Sequence, residues 1–200
     1  MLQYAMNVKK ILLILFLIAW VVLAINPRWP FVWMIENIMT FIAIPLTLWL
    51  ERRKAFSTLS AVMIFLLLLL HSMGAHYTYS EMPGFESLSQ FFGFERNHYD
   101  RFVHFMFGFL IFLPLTEVFS KNIGDKKVIL ALTVFIIFGV SSLYEIFEWI
   151  AAISVEPKVG FSVLGSQGDI WDAQKDMVLA HLGALLAMMF WHKRVGVLKS

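Results

Sequence analysis

Long apolar runs separated by short polar breaks organise this chain. A helix crossing a bilayer needs about 20 mostly apolar residues. Six segments meet or approach that length: Lys10–Ile25, Phe31–Leu50, Ser57–Ala75, Arg101–Phe119, Val128–Ala152 and Asp172–Trp191. The pattern predicts an all-α fold, a polytopic membrane helix bundle with six transmembrane helices, forming one integral membrane domain over residues 1–200. The first run follows Lys9-Lys10 in the manner of a signal peptide, with a weak cleavage site at Val22-Leu23-Ala24. The next run begins after only Asn26-Pro27-Arg28-Trp29-Pro30, a tight turn. An uncleaved helical hairpin is therefore the better reading.

Composition agrees with the pattern. Hydrophobic residues make up 60% and charged residues 15%, whereas a soluble domain carries roughly 45–50% and about 25%. No basic tract points to nucleic acid. The absence of cysteine excludes disulfides, a thiol nucleophile and thiolate metal sites. Charge matters most through its placement. Lys9, Lys10, Arg52, Arg53, Lys54, Lys121, Lys126, Lys127, Lys193, Arg194 and Lys199 fall on one side of the predicted bundle. Arg28, Arg96, Arg101, Lys158 and Lys175 fall on the other, an eleven-to-five bias. Positive loops stay inside, so both termini are expected in the cytoplasm. The two long loops, His76–Asp100 and Ile153–Trp171, then lie outside. In the first, Phe85, Leu88, Phe91 and Phe92 recur at helical spacing after Pro83-Gly84. A short interfacial helix explains them, and a packed irregular loop does so equally well.

The chemistry lies in acidic residues at the outer ends of the spans. The apolar run Met177–Trp191 reaches bilayer length only if Asp172 and Asp176 are included. At 100° per residue, Asp169, Asp172 and Asp176 share one face, which Gly183 and Ala187 continue inward. Small residues mark close helix contact in membranes, so this stripe is expected to face the bundle. Asp100 and His104 are i, i+4 at the start of the fourth span, with Gly108 below. Glu145 and Glu148 are i, i+3 in the fifth, with Ser141 one turn deeper. Glu36, Asn37, His71, His76 and His98 lie near the same level. Seven carboxylates thus face only Arg101, Lys175 and Arg96 as fixed cations. Such a group must protonate, pair or hold a metal ion. Asp, Glu and His without Cys suit Mg, Mn, Zn or Fe, with Mg, Mn or Zn the expected ion.

Simpler readings exist for single residues. Asp100 and Arg101 suit headgroup anchoring, and Asp172 suits the positive end of a helix dipole. Trp and Tyr near span ends suit the interfacial belt. His181 projects away from the acidic stripe and reads as packing. His71 and Glu117 have no assigned role.

The blocks "HYDRFVHFMFGFL", "SSLYEIFEWI" and "GSQGDIWDAQKDMVLAHLGALL" resemble the YjdF family of bacterial inner-membrane proteins over nearly the whole chain. That resemblance implies a multi-pass protein of the inner membrane and brings no established reaction. A looser resemblance is to VanZ-like proteins, linked to teicoplanin resistance. Asp100, Arg101 and His104 match their first block, Glu145 their second and Asp172 their third. Glu148 and Asp176 stand where that family tends to have Gln and Asn, which makes this site more acidic.

Three functions compete. An outward-facing enzyme would act on a lipid-linked or cell-envelope intermediate. Glu145 or Glu148 would be its general base and His104 its acid or a ligand, with Asp100, Asp172 and Asp176 as metal ligands. Glu36, His76, His98, Arg101 and Asp169 would surround that site. A non-catalytic membrane binding or accessory module would use the same cluster. A cation transporter fits less well, because the inner halves of the spans carry no matching polar path. No HExxH or GxSxG motif is present. Gly165-Ser166 has no evident histidine partner. The patterns of membrane lipid phosphatases and of CAAX-type proteases are also missing.

Overall fold

Helical periodicity wins throughout. Among the described residues, 2–154 and 167–195 of a computed structural model, the chain forms seven α-helices and no strand. They are α1 (Leu2–Leu23), α2 (Pro30–Arg52), α3 (Thr58–Tyr77), α4 (Pro83–Phe92), α5 (Tyr99–Ser120), α6 (Lys126–Ile153) and α7 (Asp172–Trp191). Most of the second long loop, including Gly165-Ser166, lies outside the described residues. Local chemistry sets several ends. Proline opens α2 and α4, where its missing N–H costs no hydrogen bond. Ser57 caps α3 by accepting from Ser60 N at 3.2 Å. Asp125 caps α6 by accepting from Lys127 N at 2.7 Å. Gly93 closes α4 at φ 68°, a left-handed geometry that favours glycine.

The helices α2, α3, α5 and α6 are each long and apolar enough to cross a membrane. The first helix begins at Leu2, not at Lys10 as the Lys9-Lys10 pair suggested. Those lysines do not end the helix, because Lys9 extends its ammonium to Glu51 Oε2 and the Phe56 carbonyl, both at 2.8 Å. The short helix α4 does form. Phe85 turns inward onto Tyr99 and Phe102, whereas Phe91 and Phe92 remain 81% and 61% exposed. An apolar edge of this kind suits a membrane interface.

The fourth long segment, α5, is the hub and packs against α3, α6 and α7. Its closest neighbour is α7, and glycine decides how closely they meet. A Cβ on Gly108 would lie 1.9 Å from the Ala180 carbonyl oxygen, and one on Gly183 would lie 2.1 Å from that of Phe105. No side chain fits at either point. The two backbones touch, and Ala180, Ala184 and Ala187 are fully buried beside them. Two buried hydroxyls are satisfied within their own helices. Ser120 donates to the Thr116 carbonyl at 2.6 Å and Thr133 to that of Ile129 at 2.9 Å. His181 stacks on Phe138 with ring centroids 3.6 Å apart.

Candidate functional site

Alternating helix direction brings together the starts of α2, α5 and α7 and the ends of α3 and α6. The acidic positions of the predicted cluster on these helices therefore meet at one end of the bundle. Glu36, Asp100, His104, Glu145, Glu148, Asp172 and Asp176 are all buried.

The upper layer is an ion-pair lattice. Arg96, just before α5, grips Asp172 with both terminal nitrogens, Nη1 to Oδ1 and Nη2 to Oδ2. This two-pronged geometry is the strongest arrangement of an arginine on a carboxylate. Arg101 Nη2 donates to Asp169 Oδ2 at 2.6 Å and to Asp172 Oδ1 at 3.1 Å. Lys175 Nζ reaches Asp169 Oδ2 at 2.5 Å. Lys175 and then the Trp171 backbone N–H, with Arg101 adding, hold the Asp169 carboxyl well below the usual carboxylate range. His98 lies at the rim, its Nδ1 3.5 Å from Arg101 Nη1. Burial, followed by the charges of Arg101 and Arg96, lowers its pKa.

Below this lattice the cations run out. Asp100, Asp172 and Asp176 each offer an oxygen, and the three atoms lie within 4.8 Å of one another. A divalent cation with ligands at about 2.0–2.6 Å can bridge that spacing. Asp176 Oδ1 is buried and has no hydrogen-bond partner among the described residues. One turn beyond Asp100, His104 Nε2 lies 3.5 Å from Asp100 Oδ1 and 3.3 Å from Glu145 Oε1. The second approach is close but poorly directed, since Glu145 Oε1 has no hydrogen bond among the described residues. No lysine or arginine ion pair reaches Glu36, Asp100, Glu145, Glu148 or Asp176 among those residues.

A third layer joins α2, α3 and α6. Tyr144 donates to Glu36 Oε2 at 2.7 Å, and its ring lies edge-on to His104 with centroids 5.7 Å apart. His71 Nε2 donates to the Glu36 carbonyl at 3.1 Å, so its Nδ1 accepts from Tyr79 OH at 2.5 Å. The neutral ring satisfies both bonds. Tyr79 reaches that point only because residue 74 is glycine, where a Cβ would come within 2.5 Å of the tyrosine ring.

Over residues 8–195 the chain matches a family described as "Predicted membrane protein (DUF2238)". It belongs to that family. The inner membrane protein YjdF of Escherichia coli (strain K12) is 34% identical over 161 residues, which covers 79% of this chain and 76% of that protein. No solved structure matches. This DUF2238 chain is an integral protein of the bacterial inner membrane, where the lipid bilayer is its surroundings.

Not every singled-out position of this DUF2238 chain joins the cluster. His76 Nδ1 donates to the Leu23 carbonyl at 2.8 Å and ties α3 to the end of α1. Asn37 accepts from Trp20 Nε1 at 2.6 Å and performs the same service between α1 and α2. Conversely, Tyr144 and Tyr79 belong to the network and gave no sequence signal beyond an aromatic near a span end. Arg96 was one cation among several until folding brought it 76 positions along the chain to Asp172. Glu117 lies at the opposite end. It accepts from Ser57 N at 2.6 Å and Ser60 Oγ at 2.7 Å, which makes it an extra cap on α3.

Proposed function

We propose that α1 and α7 complete a six-span bundle with both termini in the cytoplasm, and that its acidic end faces outward and binds a divalent cation. On this reading the protein acts on a lipid-linked or cell-envelope intermediate. Asp100, Asp172 and Asp176 are the metal ligands, and His104 lies beside them as a further ligand or proton donor. Glu145 or Glu148 is the base. The observation that carries the reading is that Asp176, one of three clustered buried carboxylates, has a buried oxygen without a hydrogen-bond partner among the described residues. An uncompensated charge in that setting is expensive, and a cation would remove the expense. When bound, the ion would polarise a phosphoryl or carbonyl oxygen. Glu145, in contact with neutral or protonated His104, would handle the proton.

A lipid-like substrate is supported by the flank of the site. A shallow, open groove beside it is lined by Arg101, Gln174 and Lys175 on one side and by Val178 and Leu179 on the other. Polar side chains beside an apolar wall suit an amphiphile. A non-catalytic module that binds the same class of molecule would need the same groove and cluster.

Metal analysis of the protein purified in detergent tests the cation. Wild type should carry close to one equivalent of Mg, Mn or Zn, and Asp172→Asn/Asp176→Asn should carry none. Equal metal in both would remove the basis for the site. Orientation is tested with a phosphatase reporter active only outside the cytoplasm. Fusion after Gln90 should be active and fusion after Ser200 inactive, and the reverse would place the acidic end inside.

A further inference from the structure

The other end of the bundle has its own cavity, independent of the acidic cluster. A groove of about 440 Å³ opens between α1, α2 and α3. Its body is apolar, with Leu13 and Phe16 from α1, Ile44 and Leu48 from α2, and Phe65 and Leu68 from α3. From Lys9 to Phe16 the α1 wall rises about 10 Å at 1.5 Å per residue, room for a good part of an acyl chain. The rim is basic. Lys9, Lys10, Arg52 and Lys54 line it, against Glu51 as the one carboxylate among the lining residues. Lys9 already neutralises Glu51 at 2.8 Å. Lys10, Arg52 and Lys54 are exposed and have no ion pair with a carboxylate among the described residues. An apolar slot beneath unopposed cations has the polarity of a phospholipid with a net negative head.

We infer that this groove is a binding site for an anionic phospholipid, with one acyl chain between α1, α2 and α3 and the phosphate held by Lys10, Arg52 and Lys54. Basic pockets between spans bind acidic headgroups on the same electrostatic grounds. The lipid would fasten α1 to the bundle at its Lys9 end, adding to the packing on α3, the Trp20 contacts with Trp33, Asn37 and Phe41 of α2, and the Lys9 contacts.

The test uses full-length protein in neutral detergent and reads the thermal unfolding midpoint. Phosphatidylglycerol at about a hundred times its dissociation constant should raise the midpoint by about 5–10 °C. Phosphatidylcholine should not. Lys10→Gln/Arg52→Gln should lose the shift, whereas Lys126→Gln/Lys127→Gln, at the same end but away from the groove, should keep it. Ala61→Phe fills the slot and leaves the cations in place, so it should also lose the shift. Two results would overturn the inference directly: an equal shift with phosphatidylcholine, or the same shift with inorganic phosphate alone. Equal loss in the Lys10/Arg52 and Lys126/Lys127 variants would overturn it as well, by reducing the effect to general surface charge. Because Lys10 and Arg52 are exposed, that pair should fold. Should it not, the Ala61→Phe result decides.

Discussion

Glu117 and Asp176 are both carboxylates buried in the same bundle, 6% and 2% exposed, yet their surroundings differ. Glu117 sits over the start of α3 and accepts from a backbone N–H and a serine hydroxyl. The helix supplies donors and the positive end of its dipole, so the ion is accommodated locally. Asp176 is a turn inside α7, past the reach of its N-terminal N–H groups, and Oδ1 has no donor among the described residues. Its neighbours are Asp100 and Asp172. Burial of an acid in a membrane protein is therefore not in itself a sign of chemistry. The sign is an acid that its own protein leaves uncompensated.

The largest effect should come from dismantling the ion-pair lattice that roofs the acidic end. Arg96→Ala leaves Asp172 with Arg101 alone. Removing one partner of a buried pair costs about 3–5 kcal/mol, and the remaining Arg101 contact places the expected loss at about 3 kcal/mol. An equilibrium unfolding measurement would register it. Added divalent cation should recover part of the loss in this variant, because Asp172 is then freer to ligate. No recovery would weaken the contrast drawn between the two ends.

Next is the opposite end. Glu117→Gln weakens two hydrogen bonds to a charged acceptor and should cost about 1–3 kcal/mol. That loss should be the same with and without divalent metal. A metal-dependent loss at Glu117 would mean that the two carboxylates are alike after all.

The smallest effect concerns the rim. Lys175→Gln removes the contact that contributes most to holding Asp169 below the usual carboxylate range. A depressed folded pKa adds stability above the unfolded value, near 3.9, and that stability is lost as pH falls toward the folded value. In the variant, the Asp169 titration, followed by NMR of the labelled carboxyl, should move up toward 3.9. The acid limb of the stability curve should follow it upward. An unmoved titration would show that Arg101 and the Trp171 N–H suffice.

Periodicity reveals much of this molecule because a membrane helix must satisfy its own backbone. The segment Asp172–Trp191 was expected as a span and is a helix over those residues. Asp100 with His104, and Asp172 with Asp176, are legible because they share faces with Gly108 and Gly183, and those glycines are where the α5 and α7 backbones touch. Partners distant in sequence were not visible. Nothing near Arg96 points to Asp172, and nothing near Tyr144 points to Glu36. His71 and His76 carry the same local signal, a histidine near a span end. One enters the acidic network through Glu36 and Tyr79, whereas the other ties α3 to α1. Only the packing separates them. The start of α1 differs from the sequence expectation for a related reason, since Lys9 finds Glu51 42 positions away and needs no helix end to reach a polar partner.

The most direct measurement is the thermal midpoint of wild type, Asp176→Asn and Glu117→Gln, each read with chelator and again after adding Mg, Mn or Zn. A cation bound between Asp100, Asp172 and Asp176 stabilises the folded form by mass action, about 2.7 kcal/mol at a hundredfold excess over its dissociation constant. Wild type should fall with chelator and recover with metal. Glu117→Gln should start lower and shift by the same amount. Asp176→Asn should respond to neither addition. A wild-type midpoint indifferent to chelator and metal, or an Asp176→Asn midpoint that moves as wild type does, would contradict the metal site.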